Sequence, residues 1–278
     1  MKKILALLMA IAMVLSLAAC TTGGDETESS ADASTPGTSE ASEATDGTEA
    51  TDPSEETDDP SVKSEGVMTY AEYIAAEVDT EVVIEAYVQA HQSWWDEQIT
   101  VYAQDADGAY FLYNMACSEE DSEKLVAGTK IRVTGYKSEW SGEVEIIDAT
   151  FEILEGSYIA EATDVTDLLG TDDLINYQNI FAAFKGMTVE ASTDADGNEV
   201  AFLYKWNGSG TEGDDLYFNV SLNGQTYTFT VESYLTGSGT DVYEAVKTLE
   251  IGQVIDLEGF LYWYDGVNPH ITSVTVVG

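Results

Sequence analysis

From Val82 onward the apolar positions fall in short strand-like runs separated by turn residues. Val82 to Val88 alternates in part, Ile99 to Ala103 follows, and Asp105-Ala106-Asp107-Gly108 turns the chain into Tyr110 to Tyr113. Glu119 to Leu125 has the spacing of a short helix, and Lys130–Tyr136 and Glu143–Ile153 read as two further strands. Ahead of these, Thr69-Tyr70-Ala71-Glu72 forms a capping-box pattern before Tyr73, Ile74 and Ala75, so a brief helix should open the folded part. The order predicted is strand, strand, strand, helix, strand, strand.

The same order recurs after a junction running from Glu155 to about Gln178, within which 166–170 should form a helical turn. Met187–Ser192 opens the second set, Asp196-Gly197 turns, and Ala201–Trp206 follows. A loop carrying Gly208, Gly210 and Gly213 leads to Leu216–Leu222, and Asn223-Gly224 makes a tight hairpin into Thr226–Glu232. Asp241–Leu249 reads as the helix, and Val254–Tyr264 and His270–Val277 as the closing strands. The repeat is visible in spacing: Leu125, Gly128, Ile131, Val133, Gly135 and Gly142 recur as Leu249, Gly252, Ile255, Leu257, Gly259 and Gly266. In each copy a helix ends, a Gly turns the chain, apolar residues alternate, and a second Gly marks a bend or bulge.

This pattern resembles the oligonucleotide/oligosaccharide-binding fold (OB-fold). The resemblance implies a mainly β protein of two tandem five-stranded barrels, each with a short helix. The expected division is residues 1–19 as a leader, 20–66 as a tether, 67–156 as the first barrel and 157–278 as the second.

The first residues change the picture of where such a protein resides. Lys2 and Lys3 precede an apolar run from Ile4 to about Leu17, followed by Leu17-Ala18-Ala19-Cys20. The run is short for a membrane span and fits an export signal. Its last four residues match the lipobox and so resemble bacterial lipoprotein precursors, which implies a lipid on the Cys20 thiol and attachment to the cell membrane. From Thr21 to about Gly66 the chain is almost wholly Ser, Thr, Ala, Gly, Asp, Glu and Pro, with Val62 as its one large aliphatic residue. Such a segment cannot offset its ordering entropy by burial, so a disordered acidic tether is expected. A long polar tether after a lipobox resembles the surface lipoproteins of Gram-positive bacteria.

Charge and candidate chemistry narrow the function. The formal net charge is −42, and Arg132 is the chain's single arginine. With no basic cluster to neutralise phosphates, nucleic acid is disfavoured as a partner on this reading. Walker, Gly-x-Ser-x-Gly, His-Glu-x-x-His and Cys-x-x-Cys motifs are missing, so no enzyme, cofactor or metal is expected. His270, at the start of a strand after Pro269, reads as structural, and Cys117 as a small buried hydrophobe. Asp105-x-Asp107-Gly108 and Asp194-x-Asp196-Gly197 lack a full calcium-loop spacing and read as hairpin turns.

Aromatic residues remain as candidates. The OB resemblance implies a ligand face across the second and third strands, flanked by the loops between strands 1 and 2 and strands 4 and 5. Trp94, Trp95 and Trp140 fall in those loops of the first barrel, with Tyr102, Tyr110 and Tyr113 on the strands between; Trp206 and Trp263 are their counterparts in the second. Trp94 and Trp95 are adjacent, so one at least should face away from the interior. The expectation is a noncatalytic module that binds a neutral glycan or a protein. The alternatives are a structural subunit of an envelope complex, single-stranded nucleic-acid binding, or a hydrolase with an unrecognised site.

Overall fold

The computed structural model describes residues 59–278; Cys20, the expected leader and the expected tether as far as residue 58 lie outside the described residues. The chain is already seated on the first barrel before Val67. Lys63 Nζ reaches the Asp105 carboxylate at 2.5 Å and the Glu85 carbonyl at 2.8 Å. Helix α1 (Tyr70–Ala75) starts with the expected capping box, Thr69 accepting from the Glu72 N–H while Glu72 accepts from that of Thr69.

The first barrel consists of β1 (Glu81–His91), β2 (Gln98–Gln104), β3 (Ala109–Ala116), β4 (Thr129–Trp140) and β5 (Glu143–Ser157), with helix α2 (Glu119–Ser122) between β3 and β4. It closes in the order β1-β2-β3-β5-β4. β4 returns antiparallel to β1, and β3 runs parallel to β5. Val82, Ile84, Ala86, Val88, Val101, Leu112, Ile131 and Val133 fill its interior.

The linker carries β6 (Thr163–Asp164) and two 3-10 turns, Thr166–Leu168 and Asp172–Tyr177. The second barrel is formed by β7 (Phe181–Glu190), β11 (Leu216–Leu222), β12 (Gln225–Val231), β13 (Val254–Phe260) and β14 (His270–Val276), with α3 (Asp241–Lys247) between β12 and β13. Short pieces β8 (Ser192–Thr193), β9 (Glu199–Val200) and β10 (Leu203–Tyr204) decorate the long connection from β7 to β11. Pairing of β7 with both β11 and β13 closes this barrel, and β12 runs parallel to β14 as β3 does to β5. Both barrels therefore have the OB strand order. Phe184, Phe218, Phe229, Ile255 and Leu257 form the second core, with Val242, Tyr243 and Val246 of α3 packed against it.

The repeated glycines do the same work twice. Gly128 and Gly252 both have left-handed φ, +92° and +86°, and each donates its N–H to a valine carbonyl on the first strand of its barrel, Val88 at 2.7 Å and Val189 at 2.8 Å. Gly135 and Gly259 each lie at a register shift between the fourth and fifth strands, where the ladder bulges. Leu125 and Leu249 are buried in equivalent cores. Two sequence readings shift: the opening strand of the second barrel starts at Phe181, six residues before the expected Met187, and Ala201–Trp206 shrinks to the short β10. Gly186 (φ +64°) kinks β7 and Lys205 (φ +63°) ends β10, and a period-two pattern shows neither.

Candidate functional site

The outer face of β2 and β3, where an OB barrel would present its ligand surface, is covered by the second barrel. Tyr102 stacks on Phe260 at 4.3 Å between ring centroids, and its hydroxyl hydrogen-bonds His270 Nδ1 at 2.6 Å. Phe111 packs on Tyr262, Tyr262 stacks on His270 at 4.4 Å, and Gln104 Oε1 accepts from the Phe181 N–H across the seam. Burial lowers His270 to about 3, so it is neutral and structural.

Two of the expected ligand rings are thereby corrected. Tyr102 is a seam residue with no exposed surface. Tyr110 is likewise buried, packed on Tyr70 and Tyr73, with its hydroxyl donating to Asp105 at 2.9 Å. Asp105 also accepts from the N–H groups of Asp107 and Gly108, which makes this acidic stretch a hairpin turn anchored by Lys63. Trp140 (61% exposed) and Trp206 (69% exposed) stand in separate places, and Trp263 belongs to a different cavity.

What remains accessible lies at the edge of the seam, where Trp94, Trp95 and Tyr113 border a groove of about 430 Å³. Trp94 is fixed by its indole N–H, which donates to the Cys117 carbonyl at 2.9 Å, whereas Trp95 is 78% exposed. A two-residue turn holds Trp95 out: Trp95 and Gln98 exchange backbone hydrogen bonds, and Asp96 and Glu97 between them have φ of +49° and +61°. Asn114 on the facing strand also has positive φ, +47°, and receives the Thr100 hydroxyl on its Oδ1 at 3.3 Å. Left-handed backbone at non-glycine residues costs about 1–2 kcal/mol each. At Asp96 and Glu97 it is what a two-residue hairpin turn requires, and it is this turn that presents the Trp95 ring.

The second barrel supplies the fourth ring, Tyr234, which sequence reasoning missed. Ser93 donates its N–H to the Tyr234 carbonyl at 2.8 Å, tying the β1–β2 loop to the loop after β12. Glu232 fixes that loop, its two carboxylate oxygens accepting from the N–H groups of Tyr234 and Leu235. Burial pushes Glu232 up to about 7. No strand pattern could have brought Tyr234 to Trp95, because their meeting depends on how the barrels dock.

The lining combines rings with uncharged amides and hydroxyls: Gln92, Ser93, Gln98, Thr100 and Asn114 stand beside the aromatic residues, and no carboxylate lines the groove. Carboxylates stand close by, Asp96 and Glu97 in the turn after Trp95 and Glu232 at the base of the Tyr234 loop, but none belongs to the lining. Rings can stack on flat faces, and amides can pair with donor and acceptor edges. Cys117 behind the groove is buried, which pushes its thiol up to about 11 and leaves it unreactive.

The fold is a pair of tandem OB-fold-like barrels, with the groove at the edge of their seam. No family model matches the chain, and no curated protein does. Solved structures with a similar arrangement include an Ifi202 HINa domain in complex with 20-bp double-stranded DNA (10% identity, 72% of this chain and 96% of that one, TM-score 0.32). They also include a murine DNA-binding protein bound to double-stranded DNA (11% identity, 70% and 96%, TM-score 0.33), and p202 HIN1 with a 12-mer duplex (10% identity, 72% and 94%, TM-score 0.32). These complexes correct the reading that sets nucleic acid aside on charge and favours a neutral glycan or protein.

Proposed function

We propose that the protein is a noncatalytic single-stranded nucleic-acid-binding module, exported and held at the cell membrane by lipid on Cys20. The observation that carries the binding role is the groove at Trp95, Tyr113 and Tyr234, where rings and amides line a surface free of carboxylates. Unstacked bases present the flat faces and hydrogen-bonding edges that such a lining accepts, and a duplex conceals those faces.

The acidic surface makes the reading distinctive. Binding rests on stacking, and phosphates are repelled by the surrounding charge, so salt should strengthen the complex by screening that repulsion, the reverse of a basic nucleic-acid-binding protein. Titration of the full-length protein with a single-stranded oligothymidylate, followed by tryptophan fluorescence, tests this. Saturable quenching that is lost about tenfold or more in Trp95→Ala, and is absent with a duplex of the same length, is the expected result. Quenching unchanged in Trp95→Ala, or affinity that falls steeply with salt, would reject it. The lipid anchor rests on the lipobox ending in Cys20, and Cys20→Ser should release the protein from the membrane fraction; a variant that stays there overturns that part.

A further inference from the structure

Most of the polar side chains lining the groove beside Trp95 are already engaged with the protein. The Gln92 amide bonds Glu232, the Ser93 hydroxyl donates to the Tyr234 carbonyl at 3.2 Å, and the Trp94 indole N–H is held by the Cys117 carbonyl. The Tyr113 and Tyr234 hydroxyls can rotate to donate or to accept, and no hydrogen bond among the described residues fixes the Gln98 amide.

Asn114 differs from all of them. On β2, Thr100 stands alone opposite two residues of β3, Tyr113 and Asn114, because Ile99 pairs with Met115 and Val101 with Leu112. This is a bulge, with Asn114 in the left-handed region at φ +47°. Regular alternation sends successive side chains to opposite faces, whereas here Tyr113 and Asn114 are both exposed between buried Leu112 and Met115. The Thr100 hydroxyl, on a buried residue, closes the bulge: it accepts the Asn114 N–H at 3.1 Å and donates to Asn114 Oδ1 at 3.3 Å. Those bonds hold the carboxamide with its oxygen toward β2 and leave its Nδ2 without a partner among the described residues.

We propose, resting on the reading of this groove as a nucleic-acid site, that Asn114 selects the base: its Nδ2 donates to a carbonyl oxygen on the base edge, so the groove takes uracil or thymine ahead of cytosine and adenine. Tyr113 and Asn114 line the groove side by side, so a base stacked on the rings brings its edge to the amide. Uracil and thymine carry the acceptor O4 where cytosine carries an amino group, and adenine carries the amino group N6. O2 is common to the pyrimidines and discriminates none of them. An amide free to turn could meet either edge, oxygen to amino group or nitrogen to carbonyl. With Oδ1 held by Thr100, Asn114 meets an amino group with its own donor, and neither donor is satisfied. Thr100 is the positioning residue in this arrangement. Stacking strength alone would place adenine, the larger ring, ahead of uracil, so the effect of the amide shows as an inverted order.

Tryptophan-fluorescence titration of the full-length protein with oligodeoxyuridylate, oligodeoxycytidylate and oligodeoxyadenylate of one length tests the selection. Expected is uridylate binding at least about fivefold tighter than cytidylate, as one hydrogen bond allows, and tighter than adenylate as well. Thr100→Val keeps the side chain's shape and frees the amide, and should bring the uridylate-to-cytidylate ratio close to one. A hydroxyl that only braced the bulge would weaken both strands together and leave the ratio where it was. Asn114→Asp, at an exposed position, puts an acceptor in the place of Nδ2 and should invert the ratio, since its added charge acts on both strands alike. Equal binding of uridylate and cytidylate, or a ratio unchanged in either variant, overturns the base selection, and quenching that still depends on Trp95 then leaves the groove's role standing. Quenching by none of the three strands, or quenching indifferent to Trp95→Ala, overturns both.

Discussion

Trp94 and Trp95 are adjacent and differ in everything but name, because one indole N–H finds the Cys117 carbonyl while the other ring is lifted into solvent by the Asp96-Glu97 turn. Trp95→Ala should therefore change stability by no more than about 0.5 kcal/mol, as at other exposed positions. Tyr102→Ala should cost roughly 3–5 kcal/mol, since it empties a seam position under Phe260 and leaves His270 Nδ1 buried without its partner. Urea melts of the two variants check the contrast, and a Trp95 variant as unstable as the Tyr102 one would show that Trp95 is structural. In the sequence alone Trp95 and Tyr102 are equal candidates. Alternation along β2 separates the inside of a barrel from its outside, and it carries no information on whether the outside is wet or covered by a second barrel.

At the scale of elements, the glycine pattern was the most legible feature, because each glycine answers a local backbone demand. Gly252 needs its left-handed φ of +86°, yet the space around it is open, so Gly252→Ala should cost about 1–2 kcal/mol of strain. Gly259 has a different reason to be glycine. A Cβ there would run into the His270 carbonyl and come within 2.7 Å of Ile271 Cα, backbone atoms of the neighbouring strand that cannot step aside without breaking the bulge. Gly259→Ala should consequently be the more damaging of the two, by about 1–3 kcal/mol, as for other overpacked core positions. Thermal unfolding of both variants tests this, and equal losses would mean that the bulge yields. The long β7–β11 connection was the least legible stretch. Its strands β8, β9 and β10 are two residues each, below the length at which periodicity can be seen, and the break at Gly186 hides the first half of β7.

Across the whole described molecule, two buried carboxyls bracket the seam between the barrels. Glu143 of the first barrel accepts the Trp263 N–H of the second, and Glu232 of the second holds the loop whose Tyr234 carbonyl receives Ser93 of the first. Burial raises Glu143 to about 8 and Glu232 to about 7, from an ordinary 4.5. Both keep a proton in the folded state that the unfolded chain has already released, so the folded state binds more protons between about pH 4.5 and 8. Their contribution to stability is complete below the unfolded value and is lost as pH rises through 7 and then 8. The loss should reach a few kcal/mol, about 1.4 kcal/mol per unit of displacement before solvent relaxation reduces it. Exposed carboxylates have finished titrating by about pH 6, and His270, neutral in the fold, opposes the pair only until the unfolded imidazole has lost its proton by about pH 7.5, so the seam pair governs the fall from there to about pH 9. Urea midpoints should fall steadily across that window, and more shallowly in Glu143→Gln, where one of the two protons can no longer be lost. A midpoint that rises with pH, or a Glu143→Gln profile as steep as that of the parent, would mean that the seam does not feel the charge on Glu143.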